Sequence, residues 1–464
     1  MKDWRQDFQA VTGCTLSKES LRAAAAVKDI SAGRVEMKKA IVVGSGAGGA
    51  AAAKKLQEKF QVTVLETGRE FKPFSSSWPA LEKLKKTGLF FDEREIQLLF
   101  PSMKVHKTED GMVMVSGTGL GGTTTLSAGN ALRMDKGLKE LGIDLDDEFE
   151  ELYREIPVTN NHQNKWRDTT KELFEICKEM DLNPQPLPKL GDYERCTNCG
   201  RCVLGCRYGV KWDSRQFLKA AQDSGTELVI GCKVSKVVTE KGSVKGVQAQ
   251  KGMNSVFYPA DIVILAAGGF STPVILQNSG IECESRLFVD PILCVAAEYK
   301  GSLQNKELSM PFAVQREHYI LSPYFDYLSF FFNKSWRYPA SDTLALMIKL
   351  ADSNAGSVDN KKINKTLTGI DKERLQEGVG ICKEILNRYD IRKDNIFLGT
   401  INAGHPGGML PLTRQEAETF HNPKLPKNLY VADATLFPKS LGNPPILTIM
   451  AMAKRVGKII MEQI

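Results

Sequence analysis

A chain of 464 residues with 42% hydrophobic and 25% charged side chains has the apolar material for a large folded core, which excludes a disordered or fibrous protein. Its 62 basic and 55 acidic residues leave a net charge of +7 without long basic runs. That balance argues against nucleic acid as the main partner and favours encounter with an acidic electron carrier.

The opening MKDWRQDFQAVTGC lacks the layout of a signal peptide, and no run of about 18 apolar residues offers a transmembrane segment, so a cytoplasmic protein is expected. In chain order, SKESLRAAAAV from Ser17 predicts a helix, capped by serine and carried by alanine, within an N-terminal extension over 1–37. KAIVV then reads as a buried strand, AAAAKKLQEKF as a helix and QVTVLE as a second strand, which together make a βαβ unit. Gly44, Gly46 and Gly49, with Ala47 among them, spell G-x-G-x-x-G directly after the first strand and before the helix. Glycine there permits the tight turn and the close approach of backbone to a pyrophosphate. Glu66 ends the second strand, where a carboxylate can accept hydrogen bonds from a ribose. The motif alone fits NAD and FAD equally, since both carry an ADP half.

The helical patterns DDEFEELYREI and TTKELFEICKEM lead into a cysteine loop. Cys196, Cys199, Cys202 and Cys206 give C-x2-C-x2-C-x3-C, the spacing of bacterial ferredoxin loops, so an iron-sulfur cluster is expected. The fourth ligand stays open at this point: Cys206 folds back to complete a [4Fe-4S] cluster, a distant thiol such as Cys232 does so, or three thiolates hold a [3Fe-4S] cluster. The four-iron form is preferred. Zinc favours two Cys pairs a dozen or more residues apart, and metal-free thiols are the remaining alternative.

Sequence from Glu227 to Leu265 is β-rich, and DIVILAAGG runs into a helix at Ser271. Residues 285–355 read as β-rich, with an aromatic stretch from Tyr319 to Trp336 that suits core and pocket lining. An amphipathic helix is expected over 372–390, then a strand in NLYVADA and a helix in PILTIMAMAKRVGKII. No internal repeat is visible, so the domains interleave along the chain.

Four segments, in order, resemble the glucose-methanol-choline (GMC) oxidoreductase family. GTGLGGTTTLSAGN, with Gly119, Gly121, Gly122, Thr123 and Thr124, is similar to the family's Gly-rich FAD segment. GGFSTPVILQNSGI, preceded by Ala267 and opening on Gly268, is similar to the second family signature, although Glu282 stands where Gly usually closes it. HPGGM at His405 resembles the family's HPxGT, with Gly408-Met409 in place of Gly-Thr. NLYVADATLFPKSLGNPPILTI resembles the C-terminal segment, with Asp433, Ala434, Asn443 and Pro444 in position.

The resemblance implies an FAD-dependent enzyme that oxidises an alcohol to a carbonyl by hydride transfer, with His405 as the base. Asn443 would hold the substrate oxygen, Asp433 the ribityl chain and Val234 the adenine. Ser127 at the Gly-rich segment implies no covalent flavin attachment. His106, His162, His318 and His421 lack motif context and read as surface or structural residues.

A cluster beside FAD would pass electrons singly to a redox protein or electron-accepting subunit, which makes a dehydrogenase rather than an oxidase. A GMC-like lyase with non-redox FAD and an electron-transfer subunit are the alternatives. The expected fold is α/β in two domains: a Rossmann-like FAD-binding domain interleaved with a substrate domain on an antiparallel sheet. Its segments are 38–135, 213–284 and 425–464 for FAD, 136–212 for the intervening cysteine region, and 285–424 for substrate.

Overall fold

The computed structural model describes residues 37–74, 77–87, 92–359, 362–389 and 391–463. The helix expected from Ser17 lies outside them. Residues Lys39–Ile464 form one compact unit.

A five-stranded parallel sheet is built around β1 (Lys39–Val43), with Ile262–Leu265 and then Leu429–Val431 on one side, and β2 (Gln61–Glu66) and then Glu227–Ile230 on the other. Its strands read as continuous apolar runs because both faces are covered, one by helices and the other by the three-stranded antiparallel sheet Cys232–Glu240, Ser243–Lys251 and Asn254–Pro259, so there is no solvent side to alternate with. Ala40 to Val43 and Ile262 to Leu265 are all buried.

The helix after β1, α1 (Ala47–Leu56), buries Ala50, Ala51, Ala52 and Ala53 and packs against the C-terminal helix Ile446–Glu462. Its small residues set a short helix-to-sheet distance. A Cβ at Gly48 would come within 1.6 Å of the Ala432 carbonyl oxygen, and one at Gly49 within 2.0 Å of that of Gly44. The third motif glycine therefore serves packing, and Gly48, which no motif singles out, serves it more tightly.

The second sheet runs Met103–Lys107, Val113–Gly117, Asn402–Ala403, Ile292–Glu298, Thr343–Leu350, Tyr319–Pro323, Phe312–Gln315 and Gln185–Pro186. Its pairings are antiparallel except that of Asn402–Ala403 with Val113–Gly117. Period-two alternation divides its central strands between two cores. Leu344, Leu346, Ile348 and Leu350 face one cluster with Leu293, Val295 and Ala297. Ala345 and Met347 face the other with Cys294 and Ala296.

Helix Gly369–Asn387 covers the first face, started by a capping box between Thr368 and Asp371. The second face is left to the functional site. The fold is thus the expected α/β arrangement of a parallel and a mainly antiparallel sheet, with two departures from the expected segments. The hairpin Met103–Lys107 and Val113–Gly117 falls within 38–135 yet adds to the second sheet, as does Gln185–Pro186 from 136–212. Among the described residues no helix is long and apolar enough to cross a membrane.

Candidate functional site

A cleft of about 800 Å³ runs along the carboxyl ends of the parallel strands to the second sheet. At one end the turn after β1 places Gly44 at φ +100, a conformation L side chains avoid. Gly46 starts α1 with no side-chain cap, and a Cβ on it would meet nothing within 4 Å. Gly44, Gly46, Ala47 and Gly48 line the cleft. An uncapped helix start that opens on a cleft presents free N–H groups and the positive end of the helix dipole, which suits a pyrophosphate.

Glu66 lines the same end, its carboxylate accepting from the Ser45 N–H at 3.1 Å, the Ser45 hydroxyl at 2.6 Å and the Gly68 N–H at 2.7 Å. Val234 is beside it on the strand Cys232–Glu240.

The Gly-rich segment folds over this turn. Gly119 and Gly121 take φ of +139 and +93 and shape the loop from outside the cleft, whereas Gly122, Thr123 and Thr124 line it. Buried Ser45 joins the two loops, its hydroxyl accepting from the Gly121 N–H at 3.1 Å. The buried Ser214 hydroxyl lies 3.1 Å from the Ser45 carbonyl and 3.0 Å from that of Gly121. Neither serine is visible in the sequence: one fills an unspecified position of G-x-G, the other belongs to no motif.

Farther along, Ala267, Gly268, Asp433, Ala434 and Pro444 line the cleft. The Asp433 carboxylate accepts from the Gly268 N–H at 2.8 Å, the Thr272 hydroxyl at 2.6 Å and the Thr435 N–H at 2.9 Å, and burial pushes its pKa up.

At the far end His405 lines the cleft, and its Nδ1 lies 3.4 Å from Asp290 Oδ2. Asp290 is buried, and also accepts from Lys349 Nζ at 3.0 Å, the Gly442 N–H at 3.2 Å and the Ser440 hydroxyl. Burial works to raise the Asp290 carboxyl, but Lys349, His405 and Ser440 outweigh it and hold it at about 2.

Burial, with Lys349, lowers the His405 pKa against the opposing pull of Asp290. The imidazole is therefore neutral at neutral pH. An ionised Asp290 can only accept, so the proton belongs on Nδ1 and the free lone pair on Nε2. A second buried pair supports this corner: Lys365 Nζ is 2.7 Å from Asp352, whose carboxylate takes the Val289 and Asp290 N–H groups.

Sequence reasoning missed Asp290 and Lys349. Lys349 carried a signal, a lone ammonium in the apolar run TLALMIKL, on the Met347 side of the strand that faces the site. Asp290 carried none. Asn443 is not among the residues lining the cleft: its Nδ2 donates to the Leu441 carbonyl at 3.4 Å, and its buried Oδ1 has no partner. His106 lines the cleft, edge-on to Phe270. From the aromatic stretch, Tyr324, Asp326, Tyr327 and Leu328 form part of the wall, and burial pushes Asp326 up to about 6.

Next to the cleft, Cys196, Cys199, Cys202 and Cys206 line a small separate cavity with Tyr193, Arg201 and Lys211. All four are free thiols, and no acidic side chain lines the cavity. Cys232 lies elsewhere, on the cofactor cleft. Among the described residues no three His, Cys, Asp or Glu side chains converge to hold a metal ion.

That finding gives the expectation of a metal or iron-sulfur cluster no support.

Two buried lysines lie within electrostatic reach of these cysteines, and Lys211 lines the cavity itself. Lys211 Nζ lies 2.8 Å from the Thr125 carbonyl, 2.9 Å from that of Ser127 and 3.1 Å from that of Cys202. Lys189 Nζ reaches the carbonyls of Ser309 at 2.7 Å and Met310 at 2.8 Å and the Asn130 side chain. Burial pulls Lys189 down to about 7, with the neighbouring Cys202 and Cys196 acting the other way. One turn of chain, Cys202–Leu204, joins the two spaces: Cys202 lines the cavity, whereas Val203 and Leu204 line the cleft.

Residues 38–292 match the family model described as GMC oxidoreductase. The chain is 27% identical to an uncharacterised protein of Methanocaldococcus jannaschii over 89% of this chain and 97% of that one. It is 26% identical to a long-chain-alcohol oxidase of Arabidopsis thaliana over 54% of this chain but only 36% of that enzyme. Pyridoxine 4-oxidase from Mesorbium loti superposes with a TM-score of 0.68 at 15% identity, over 92% of this chain and 99% of that one. This last likeness is one of fold.

Proposed function

Because the chain belongs to the GMC oxidoreductase family, we propose that it is an FAD-dependent dehydrogenase that oxidises an alcohol to a carbonyl and passes the electrons to an external carrier. The observation that carries this reading is a single cleft with an open helix start at one end and a neutral, carboxylate-oriented histidine at the other. FAD, when bound, supplies the acceptor for the hydride.

The chain's own residues do the rest. Gly46, Ala47, Gly122, Thr123 and Thr124 would hold the pyrophosphate, Glu66 the ribose, and Val234 the adenine. Gly44 and Gly49 would fix the turn, and Gly119 and Gly121 the loop over it. Ala267, Gly268, Asp433, Ala434 and Pro444 would hold the remainder of the cofactor.

His405 Nε2 takes the hydroxyl proton as the carbon loses its hydride, while Asp290 keeps the other ring nitrogen protonated and stabilises the imidazolium that forms. Lys349 keeps Asp290 ionised. Asn443, with its orphaned Oδ1, would contribute by a small rotation of its side chain toward the substrate oxygen. Met310, Met347, Ile292 and Leu328 give the far wall an apolar character, which favours an alcohol with an apolar body, in keeping with the name of the Arabidopsis relative. The division into cofactor segments 38–135, 213–284 and 425–464 and a substrate segment 285–424 belongs to the same proposal.

We further propose that Cys196, Cys199, Cys202 and Cys206 hold a [4Fe-4S] cluster. An iron-sulfur cluster, when bound, takes electrons singly, which suits a redox protein or electron-accepting subunit as partner. The cavity shared by the four thiols and the single turn between it and the cleft support this.

Anaerobic rapid mixing of the holoenzyme with a panel of alcohols tests the main reading. Bleaching of the flavin by an apolar alcohol, followed by reoxidation that is faster with a one-electron acceptor than with oxygen, is expected. A flavin that no alcohol reduces would sink it. Iron and acid-labile sulfide analysis of the same protein tests the cluster.

A further inference from the structure

The cysteine cavity poses a charge problem that its thiols alone leave open. Lys189 and Lys211 are 0% and 3% exposed, and neither forms a salt bridge among the described residues. Every polar atom within reach of Lys211 Nζ is a carbonyl oxygen, from Thr124, Thr125, Ser127 and Cys202. Lys189 Nζ is met by three carbonyls and one amide oxygen.

Two acids act on them from a distance without reaching either ammonium: Glu307, which accepts from the N–H groups of Arg167 and Leu308 and from the Thr170 hydroxyl, and Asp213, which pairs with Arg215 at 2.8 Å. Removing an ammonium from water costs several kcal/mol even after relaxation, and neutral carbonyls offset only part of it. Lys211 lines the cavity and Lys189 is within electrostatic reach of Cys196 and Cys202, so an anion held there would offset that cost for both. No carboxylate lines the cavity.

Resting on the cluster reading above, we propose that Lys189 and Lys211 are the buried counter-ions of an anionic iron-sulfur centre held by the four cysteines. In their charged forms they set its reduction potential. Four thiolates around a [4Fe-4S] core of charge +2 leave a net charge of −2, which two ammoniums balance. Each further electron makes the centre more negative, so nearby fixed cations stabilise the reduced form and raise the potential.

Lys211 has a second consequence. By holding the carbonyls of Thr124, Thr125 and Ser127 together with that of Cys202, it ties the loop that lines the FAD cleft to the loop that carries the centre. Both lysines are positioning residues: neither touches a reacting atom.

The test is an EPR-monitored redox titration of anaerobically purified holoenzyme, as wild type, Lys189→Met, Lys211→Met and Lys211→Arg. Each Met variant is expected to shift the one-electron equilibrium at least about tenfold toward the oxidised centre, about 59 mV, and Lys211→Arg to restore most of it. Wild-type iron and sulfide with an unshifted potential in both Met variants overturns the proposal while leaving the cluster standing.

Where a Met variant is recovered only without iron, its melting midpoint is compared with that of wild type stripped of iron. The variant is expected to melt higher, having lost an uncompensated buried charge. A lower midpoint, or no folded protein at all, overturns the proposal, because the hydrogen bonds and not the charge would then be what the lysines provide. Absence of iron and sulfide from the wild type instead removes the cluster reading itself.

Discussion

The two ends of the cleft are built by different means. At the nucleotide end the groups on offer are mainly backbone N–H donors, presented by two short glycine-rich turns, one of them a helix start. At the histidine end they are side chains gathered from afar: Asp290, Lys349, His405 and Ser440 come from four separate segments and meet in a buried ionic cluster. Backbone binding needs space and curvature, and tolerates much else. A buried ionic cluster needs every member present, since removing one partner leaves the other's charge uncompensated.

Four changes bear on this contrast. The largest effect is expected for His405→Ala, which should slow flavin reduction by alcohol on the order of 10² to 10⁴ while visible absorbance shows FAD still bound. Equal losses of rate and cofactor would mean that the two ends are not separable.

Next is Lys365→Met, which strands the buried Asp352 and should lower the unfolding free energy of the cofactor-free protein by about 3 to 5 kcal/mol in denaturant titration. A loss below about 1 kcal/mol would mean that the corner is not held by charge.

Smaller is Gly46→Ala. Its methyl group enters only the cleft, so FAD affinity should fall about tenfold, about 1.4 kcal/mol, with the melting midpoint of the cofactor-free protein unmoved. A shift in that midpoint would contradict the open cradle.

The smallest effect is in the wild-type pH profile. The base works only when unprotonated, so flavin reduction is lost as pH falls through the His405 pKa. Burial lowers that pKa, so the acid limb should lie below the ordinary histidine value of about 6.5. An acid limb above that value would require Asp290 to outweigh burial and Lys349.

The same contrast decides what could be read in the sequence. Turn glycines, the carboxylate at the end of β2 and the cysteine spacing are local constraints, so Gly44, Gly46, Glu66 and the four thiols stand out in a linear string. The alternation that splits Thr343–Leu350 between two cores is also local in kind, but every residue of that strand is buried and its apolar pattern is unbroken except at Lys349. Asp290, Ser45 and Ser214 were illegible because nothing near them in sequence needs them: their partners are 115, 76 and 93 residues away. That the hairpin Met103–Lys107 with Val113–Gly117 joins the second sheet was illegible for a similar reason, since its position between two glycine-rich motifs says nothing about the edge it joins.

The contact of Gly48 with Ala432 bears on the order in which the protein is made. The turn that opens the nucleotide site is synthesised first, yet α1 is seated against a carbonyl near the end of the chain and against the helix Ile446–Glu462 that follows it. Translation proceeds from the amino end, so this pocket stays unfinished until nearly the whole polypeptide has left the ribosome. Loading of the flavin is therefore a late event in the life of the chain, and a fragment that stops short of residue 429 would carry every motif glycine of the first turn and still lack the seat that holds it.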